Sequence, residues 1–268
     1  MTKVGLITVG QSPRSDVVPD MAAILGGDVE IVEAGALDGL SRERIAAFAP
    51  EGDDEILVTR LADGSSVFVG KSHMIPLVEA RIAALENEGV VLNVLLCTGA
   101  FPRLAARRPF LEPQQLLLGL LRATTFSGRL GVLTPSERHV PQTTARWRDS
   151  GFDAHVVPLS PYEESDPAAV RRAADSLRVG HAGLVVMDCI GFRRKTRDEI
   201  ASLTGAPTLL ANLLVARVAA ELVSEGGSAP LPNLPPGTGC AGRAGARAGT
   251  STGGAVSRGH AAFTPTAS

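Results

Sequence analysis

The sequence has few of the residues on which metal, redox and disulfide chemistry depend. It contains three cysteines and five histidines among 268 residues, and no two cysteines form a CxxC pair. Cysteines this few and this far apart make neither a disulfide framework nor a zinc site, so we expect reduced thiols and no bound metal. No P-loop is present and no GxGxxG motif follows a predicted strand, so we also expect no cofactor.

A marked charge excess and long apolar runs are missing too. The chain has 26 basic and 28 acidic side chains, which gives no electrostatic reason to expect nucleic acid or an anionic membrane as a partner. No apolar run approaches the roughly 20 residues that span a bilayer, and the first residues lack the features of a secretory signal. We therefore expect a soluble, cytoplasmic protein whose partner is a small molecule. Whether it forms a homodimer is left open.

The composition changes sharply near Ser224. Residues 224–268 contain ten glycines and five prolines and have almost no residues that could build a core. Such a segment cannot offset the entropy lost on ordering. We interpret it as a disordered Gly/Pro/Ala-rich tail, and we leave its Cys240 out of the chemistry.

Upstream of the tail, short β-rich runs alternate with amphipathic stretches, which predicts an α/β fold with mainly parallel sheets. The predicted strands are 3–9, 29–33, 91–97, 129–133, 154–157, 183–187 and 208–210. The predicted helices are 15–25, 42–48, 75–88, 114–122, 137–150, 167–178, 196–203 and 211–223. One segment differs, because Asp63-Gly64 stands between two apolar runs and predicts an antiparallel hairpin over residues 55–70.

The two halves of this region resemble each other. Gly5–Arg14 aligns with Gly131–His139, and Asn93–Phe101 aligns with Leu184–Phe192. We therefore predict two Rossmann-like lobes. The first comprises residues 1–110, carries the hairpin and is completed by the helix at 211–223, and the second comprises residues 111–210.

A cysteine followed by one residue and a glycine ends the matching strand in each half, at Cys97 and Cys189. Ligands of open α/β sheets bind beyond the carboxyl ends of the strands, so both thiols should face one cleft between the lobes. A lone cysteine in an apolar strand is more often a small buried hydrophobe. A matched pair favours chemistry, because racemisation beside a carbonyl needs a base on one face of the carbon and an acid on the other.

Five segments carry a resemblance to a known family: Gly5–Arg14, Gly35–Leu40, Leu95–Pro102, Ser160–Tyr162 and Met187–Gly191. Together they resemble the AroM family, within the aspartate/glutamate racemase superfamily that also includes hydantoin racemases, maleate isomerases and arylmalonate decarboxylases. The resemblance implies the racemase-like fold. It also implies a cofactor-independent racemase or isomerase of a small amino acid or carboxylate, with Cys97 and Cys189 as the acid/base pair.

Two positions depart from the amino-acid racemases. Gln11-Ser12 stands where their first strand ends in an Asp-Ser turn, and Ile190-Gly191 stands where Thr-His follows their second cysteine. The acidity of the thiols must therefore be tuned by other groups. Asp188, beside Cys189, is one candidate, and a purely structural role is the alternative.

Further candidates for substrate binding lie in the loops that follow the strands. Ser12 and Arg14 could hold a carboxylate at a helix N-terminus, or Ser12-Pro13 could simply begin that helix. Tyr162 could line the cleft or serve packing. The full set of predicted substrate-binding residues is Gln11, Ser12, Arg14, Thr98, Gly99, Thr134, Ser136, Tyr162 and Gly191.

Two other functions remain open from the residues alone. A decarboxylase or a cis-trans isomerase would need only one essential cysteine. A non-catalytic protein that binds a small metabolite would need neither thiol, and its cysteines could be replaced with binding retained.

Overall fold

The structure is a computed structural model that describes residues 1–162 and 166–224. Its helices and strands alternate along most of the chain, as the sequence pattern predicts. In chain order they are β1 (Thr2–Thr8), α1 (Val18–Leu25), β2 (Val29–Gly35), α2 (Arg42–Ala46), β3 (Ile56–Arg60), β4 (Ser66–Gly70), α3 (Lys71–Asn87), β5 (Leu92–Leu96), β6 (Phe110–Leu111), α4 (Pro113–Arg122), β7 (Arg129–Thr134), α5 (Val140–Asp149), β8 (Ala154–Pro158), α6 (Pro167–Val179), β9 (Ala182–Met187), α7 (Arg194–Thr204), β10 (Thr208–Leu210) and α8 (Ala211–Val223).

Eight of the strands form two parallel sheets with the same topology. The first sheet has the order β2-β1-β5-β6 and the second the order β8-β7-β9-β10, so corresponding strands occupy corresponding places. All five residues of β5 are buried, as expected for a parallel strand that is covered on both faces. The predicted α/β fold of two similar, Rossmann-like lobes with mainly parallel sheets is confirmed.

The remaining two strands form the hairpin that Asp63-Gly64 predicts. β3 pairs with β4 in antiparallel register, from Ile56 opposite Gly70 to Arg60 opposite Ser66. Gly64 has a φ of 85°, a conformation that costs glycine little and other residues much more. The hairpin interrupts the first half of the chain and has no counterpart in the described part of the second.

The two sheets share a core. Val4 and Val94 from the first sheet belong to the same buried cluster as Val132 and Val186 from the second. Helix α8 closes this core from the end of the described chain, because it packs against α1 and α4. We propose the lobe boundaries of 1–110 and 111–210, with α8 added to the first lobe, as a topological division of one packed unit.

Several element boundaries differ from the sequence-based prediction. The predicted helix 137–150 is a 3-10 turn, Glu137–His139, followed by α5, in which Pro141 lies in the first turn. Helix α3 begins at Lys71, four residues before the predicted start, and keeps Pro76 inside it. The sequence did not predict β6, because two residues are too short for an alternating pattern to be recognised.

The predicted tail lies, from residue 225 onward, outside the described residues, and so does Cys240. In the part of the chain that the structure describes, no helix is long and apolar enough to cross a membrane.

Candidate active site between the two sheets

The ends of two matched strands bring two thiols to the wall of one small cavity. Cys97 directly follows β5, and Cys189 lies two residues after β9. Both line a cavity of about 40 Å³, together with Thr98, Gly99 and Thr134. These residues lie beyond the carboxyl ends of parallel strands, where α/β proteins place their ligands.

The hairpin forms another wall of this cavity, contributed by residues 55–59. Gln142 of α5 fastens it there, because its side chain accepts a hydrogen bond from Ile56 N–H at 3.0 Å and donates one to Ile56 C=O at 2.7 Å. Gln11 fastens the turn of the hairpin, since its amide accepts from Ala62 N–H at 2.9 Å and donates to Leu37 C=O at 3.2 Å. The hairpin thus covers the cleft and is bonded to both halves of the chain.

Cys97 lies in an environment that disfavours its charged form. The sulfur accepts a hydrogen bond from the Gly99 N–H at 3.4 Å. Burial nevertheless raises the pKa of the Cys97 thiol to about 12, and the nearby Glu55 and Cys189 act in the same direction. In the folded protein without a ligand, Cys97 is therefore a neutral thiol at physiological pH.

Cys189 differs from Cys97 because a phenol contacts it. Its side chain is 7% exposed, and its Sγ lies 3.5 Å from Tyr162 Oη. Burial raises the pKa of the Cys189 thiol, while the Tyr162 hydroxyl, the Gly191 backbone and Arg14 oppose that rise. The pKa of Tyr162 is also raised by burial, so the phenol keeps its proton and can donate it in a hydrogen bond.

A buried ion pair connects the two thiol-bearing loops. Asp188, whose side chain is fully buried, accepts hydrogen bonds at Oδ2 from Arg146 at 2.5 Å and from Trp147 Nε1 at 2.8 Å. Arg146 also donates to the Thr98 carbonyl at 2.6 Å, and the Thr98 hydroxyl donates to the Asp188 carbonyl at 3.0 Å. The residue after Cys97 and the residue before Cys189 are therefore bonded to each other. Asp188 also acts to raise the pKa of Cys189, so it does not activate that thiol.

Residues 4–223 match the model of the family described as AroM protein. The chain belongs to the AroM family. No curated protein sequence matches it.

Solved structures with the same fold include several racemases and a decarboxylase. Allantoin racemase from Klebsiella pneumoniae superposes with a TM-score of 0.55 at 15% identity, covering 83% of this chain and 88% of that one. Unliganded arylmalonate decarboxylase gives 0.55 at 14% identity, covering 84% and 94%. Glutamate racemase from Aquifex pyrophilus gives 0.52 at 15% identity, covering 83% and 84%. At these identities the similarity shows that the AroM-family chain shares their fold.

Six of the predicted site residues lie together around the cavity of this AroM-family chain. They are Cys97, Thr98, Gly99, Thr134, Tyr162 and Cys189. The structure does not bring the other predicted residues to the cavity wall. These are Gln11, Ser12, Arg14, Ser136 and Gly191.

The residues outside the wall have protein partners instead. Ser12 bonds to Asp38 through its hydroxyl at 2.6 Å and its N–H at 2.8 Å. The Arg14 guanidinium is 2% exposed and is held by both oxygens of Asp16 at 2.8 Å and by Thr8 Oγ1 at 3.1 Å. Arg14 therefore lies beneath the site, and its hydrogen bonds are directed at the protein.

His139 is a cavity residue that the sequence analysis did not single out. Its Nδ1 bonds to Ser136 Oγ at 2.8 Å, and among the described residues no group bonds its Nε2. Burial first, and then Arg138 and Arg146, lower the pKa of His139 to about 4, so the imidazole is neutral. The signal that could have found it is its position in the turn after β7, which matches the loop after β1.

Proposed function

We propose that this protein is a cofactor-independent racemase or isomerase of a small amino acid or related carboxylate, with Cys97 and Cys189 as its acid/base pair. The observation that carries the proposal is that two thiols at equivalent strand ends line the same small cavity. Membership of the AroM family, and a fold shared with allantoin and glutamate racemases, support the same chemistry.

In this reaction one cysteine, as a thiolate, removes the proton beside the substrate carbonyl, and the electron pair passes into an enolate. The other cysteine, as a thiol, gives its proton to the opposite face of that carbon and becomes the thiolate. The reverse reaction exchanges the two roles. A thiolate formed at either position would be a stronger base than a solvated one, because burial raises the pKa of both thiols.

The substrate carboxylate would be held by neutral donors. The Arg146 guanidinium is directed at Asp188 and at the Thr98 carbonyl, and Lys71 bonds to Glu55 and to the Ala100 carbonyl at 2.9 Å. Thr98, Gly99 and Thr134 line the cavity and offer hydroxyl and backbone N–H groups.

A decarboxylase or isomerase with one essential thiol is the second candidate. It is favoured by the unequal surroundings of the two sulfurs, since Tyr162 contacts Cys189 whereas a backbone N–H contacts Cys97. The arylmalonate decarboxylase structure has the same fold. A non-catalytic protein that binds a metabolite in the same cavity is the third candidate.

Solvent deuterium exchange separates these functions. Amino acids and small dicarboxylates are screened in deuterated water, and any active compound is then tested with Cys97→Ala and Cys189→Ala. We expect racemisation to disappear in both variants, while residual exchange favours opposite enantiomers, because each remaining thiol reaches one face of the carbon.

Cys240→Ala is the matched control, since Cys240 lies outside the family match, and it should exchange as the wild type does. Loss of turnover in only one of the two site variants would support the single-thiol functions. Wild-type turnover in both would show that neither thiol is catalytic, and binding without turnover in any variant would support the metabolite-binding protein.

A further inference from the structure

The contact between Tyr162 and Cys189 has a definite direction when the cysteine is charged. Tyr162 Oη lies 3.5 Å from Cys189 Sγ, within the range of hydrogen bonds to sulfur. A thiolate has no hydrogen to donate, so in that state the phenol O–H must be the donor. Hydrogen bonds to an ionised acceptor are stronger than those between neutral groups, so this contact stabilises the thiolate more than the thiol.

The position of the phenol depends on a glycine. A Cβ at residue 191 would lie 2.6 Å from Tyr162 Cε1 and 2.9 Å from Tyr162 Oη, distances at which atoms overlap. Gly191 is thus the residue type that lets the ring lie against the loop after Cys189. On another side, the Arg14 Cζ lies 5.9 Å from the ring centroid, within range of a cation–π interaction. Arg14 is itself fixed by Asp16, so the ring is held on a buried support.

Cys97 has no equivalent group among the residues that the structure describes. Its sulfur accepts only the Gly99 N–H, and the charged or titratable groups that act on it are Glu55, Arg146 and the other thiol. Those that act on Cys189 are Tyr162, Arg14 and Asp188. The two members of the proposed pair therefore differ in their hydrogen-bond donors, although their strands are equivalent.

We propose that Tyr162 is a catalytic residue whose phenol donates a hydrogen bond to the Cys189 sulfur, so that Cys189 is the more acidic thiol of the pair and the first to act as the base. The catalytic role rests on the proposed function, whereas the order of acidity of the two thiols does not. Burial raises the pKa of both thiols, but at Cys189 the Tyr162 hydroxyl and Arg14 oppose that rise, whereas the pKa of Cys97 reaches about 12.

The order can be measured without a substrate. The full-length protein is alkylated with iodoacetamide across a range of pH, and the rate at each cysteine is read from its own peptide by mass spectrometry. Because the thiolate is the reacting form, the rate follows the fraction ionised. We expect Cys189 to reach half of its maximal rate at a lower pH than Cys97. The opposite order would overturn the proposal, whatever the reaction of the protein.

Tyr162→Phe tests the phenol itself, since it keeps the ring against Gly191 and Arg14 and removes only the hydroxyl. We expect the pH dependence of alkylation at Cys189 to shift upward by about one pH unit. At any pH below the pKa of Cys189, the alkylation rate should then be roughly tenfold lower. Cys97 in the same molecule is the internal control and should not move. An unchanged Cys189 profile, or an equal change at both cysteines, would overturn the role of the hydroxyl.

If a substrate is found, Tyr162→Phe should lower kcat with little change in KM, because the hydroxyl contacts the sulfur that moves the proton. A rise in KM with kcat unchanged would make Tyr162 a binding residue and overturn its catalytic role. A shifted alkylation profile without any turnover would instead leave the hydrogen bond standing and count against the proposed function.

Discussion

Burial is the largest single influence on the titratable residues of the site. It raises the pKa of both thiols and of the Tyr162 phenol, and it lowers the pKa of the His139 imidazole. In each case the neutral form is favoured, because a charge is poorly solvated in a closed cavity. These four groups are therefore neutral parts of a wall whose charged members are Glu55, which is paired with Lys71, and the Arg146–Asp188 ion pair.

His139 predicts a specific acid sensitivity. Its pKa falls from 6.5 to about 4 on folding, so between these values the unfolded chain binds a proton that the folded protein does not. The contribution of His139 to the free energy of unfolding is then fully present above pH 6.5 and is lost as the pH falls through 4. Urea unfolding at pH 7 and pH 4.5 should therefore show a smaller difference for His139→Asn than for the wild type.

His155→Asn is the matched control for that experiment, because His155 bonds to Ser176 away from the cavity. It should keep the acid sensitivity of the wild type. An equal loss of stability in His139→Asn and wild type would show that His139 is protonated normally in the folded state.

At the scale of elements, the hairpin contributes a wall of the cavity from outside the two parallel sheets. β3 supplies one wall, yet it pairs only with β4 and is not a strand of either parallel sheet. Two side-chain amides bond it to the rest of the protein, Gln142 at Ile56 and Gln11 at Ala62, in addition to the Gln11 N–H bond to the Arg60 carbonyl and the apolar packing of Leu57 and Val69. Since each of these hydrogen bonds contributes on the order of 1 kcal/mol, removal of one amide should loosen the hairpin locally and leave the fold intact.

We predict that Gln142→Leu loosens the hairpin at its cavity end. The Ile56 amide loses its acceptor, so its hydrogen exchange should become at least severalfold faster. Exchange at Ala62 should change little. Gln11→Leu is the matched control, with the reverse pattern expected, because its amide bonds to Ala62 and not to Ile56. Unchanged exchange of Ile56 in Gln142→Leu would mean that the apolar packing of Leu57 and Val69 alone holds the hairpin.

At the scale of the whole molecule, the two lobes are joined by a common apolar core and by hydrogen bonds between Thr98 of the first lobe and Arg146 and Asp188 of the second. Arg146 and Asp188 connect the loop after β5 to the loop after β9, which sets the relation between the two thiols. Because the core cluster contains strands of both sheets, we expect the lobes to unfold in a single transition.

The ion pair gives a prediction for global stability. Arg146→Met leaves the Asp188 carboxylate buried with Trp147 as its remaining side-chain donor, so the free energy of unfolding should fall by about 3–5 kcal/mol. In the double variant with Asp188→Asn the loss should be smaller, since the unpaired charge is gone. Urea denaturation of both single variants and the double variant measures the coupling between the two residues. If the losses in the free energy of unfolding of the two single variants simply add in the double variant, the two residues do not interact and the ion pair is contradicted.

The sequence by itself determined the kinds of elements, their order and the likeness of the two halves. Hydrophobic periodicity is local, so it predicts β1, β5, β7 and β9 within a few residues, and Asp63-Gly64 predicts the hairpin. The repeated Cys-X-Gly also predicts that each thiol lies at the carboxyl edge of its own sheet. The family followed from motifs spread along residues 5–191, and the match over residues 4–223 confirms it.

Only the tertiary structure decided which polar groups reach that edge and which are used elsewhere. Arg14 follows a strand, as an anion-binding residue would, but packing buries it against Asp16 beneath the site. His139 and Arg146 come from the turn before α5 and from α5 itself, and their places depend on how the second sheet packs against the first. Such contacts join residues up to 90 positions apart, as with Thr98 and Asp188, so a local sequence pattern does not predict them. Burial and charge pairing are properties of the packed molecule. The sequence could therefore predict which residue types form the site, but not which groups contact them and set their charge.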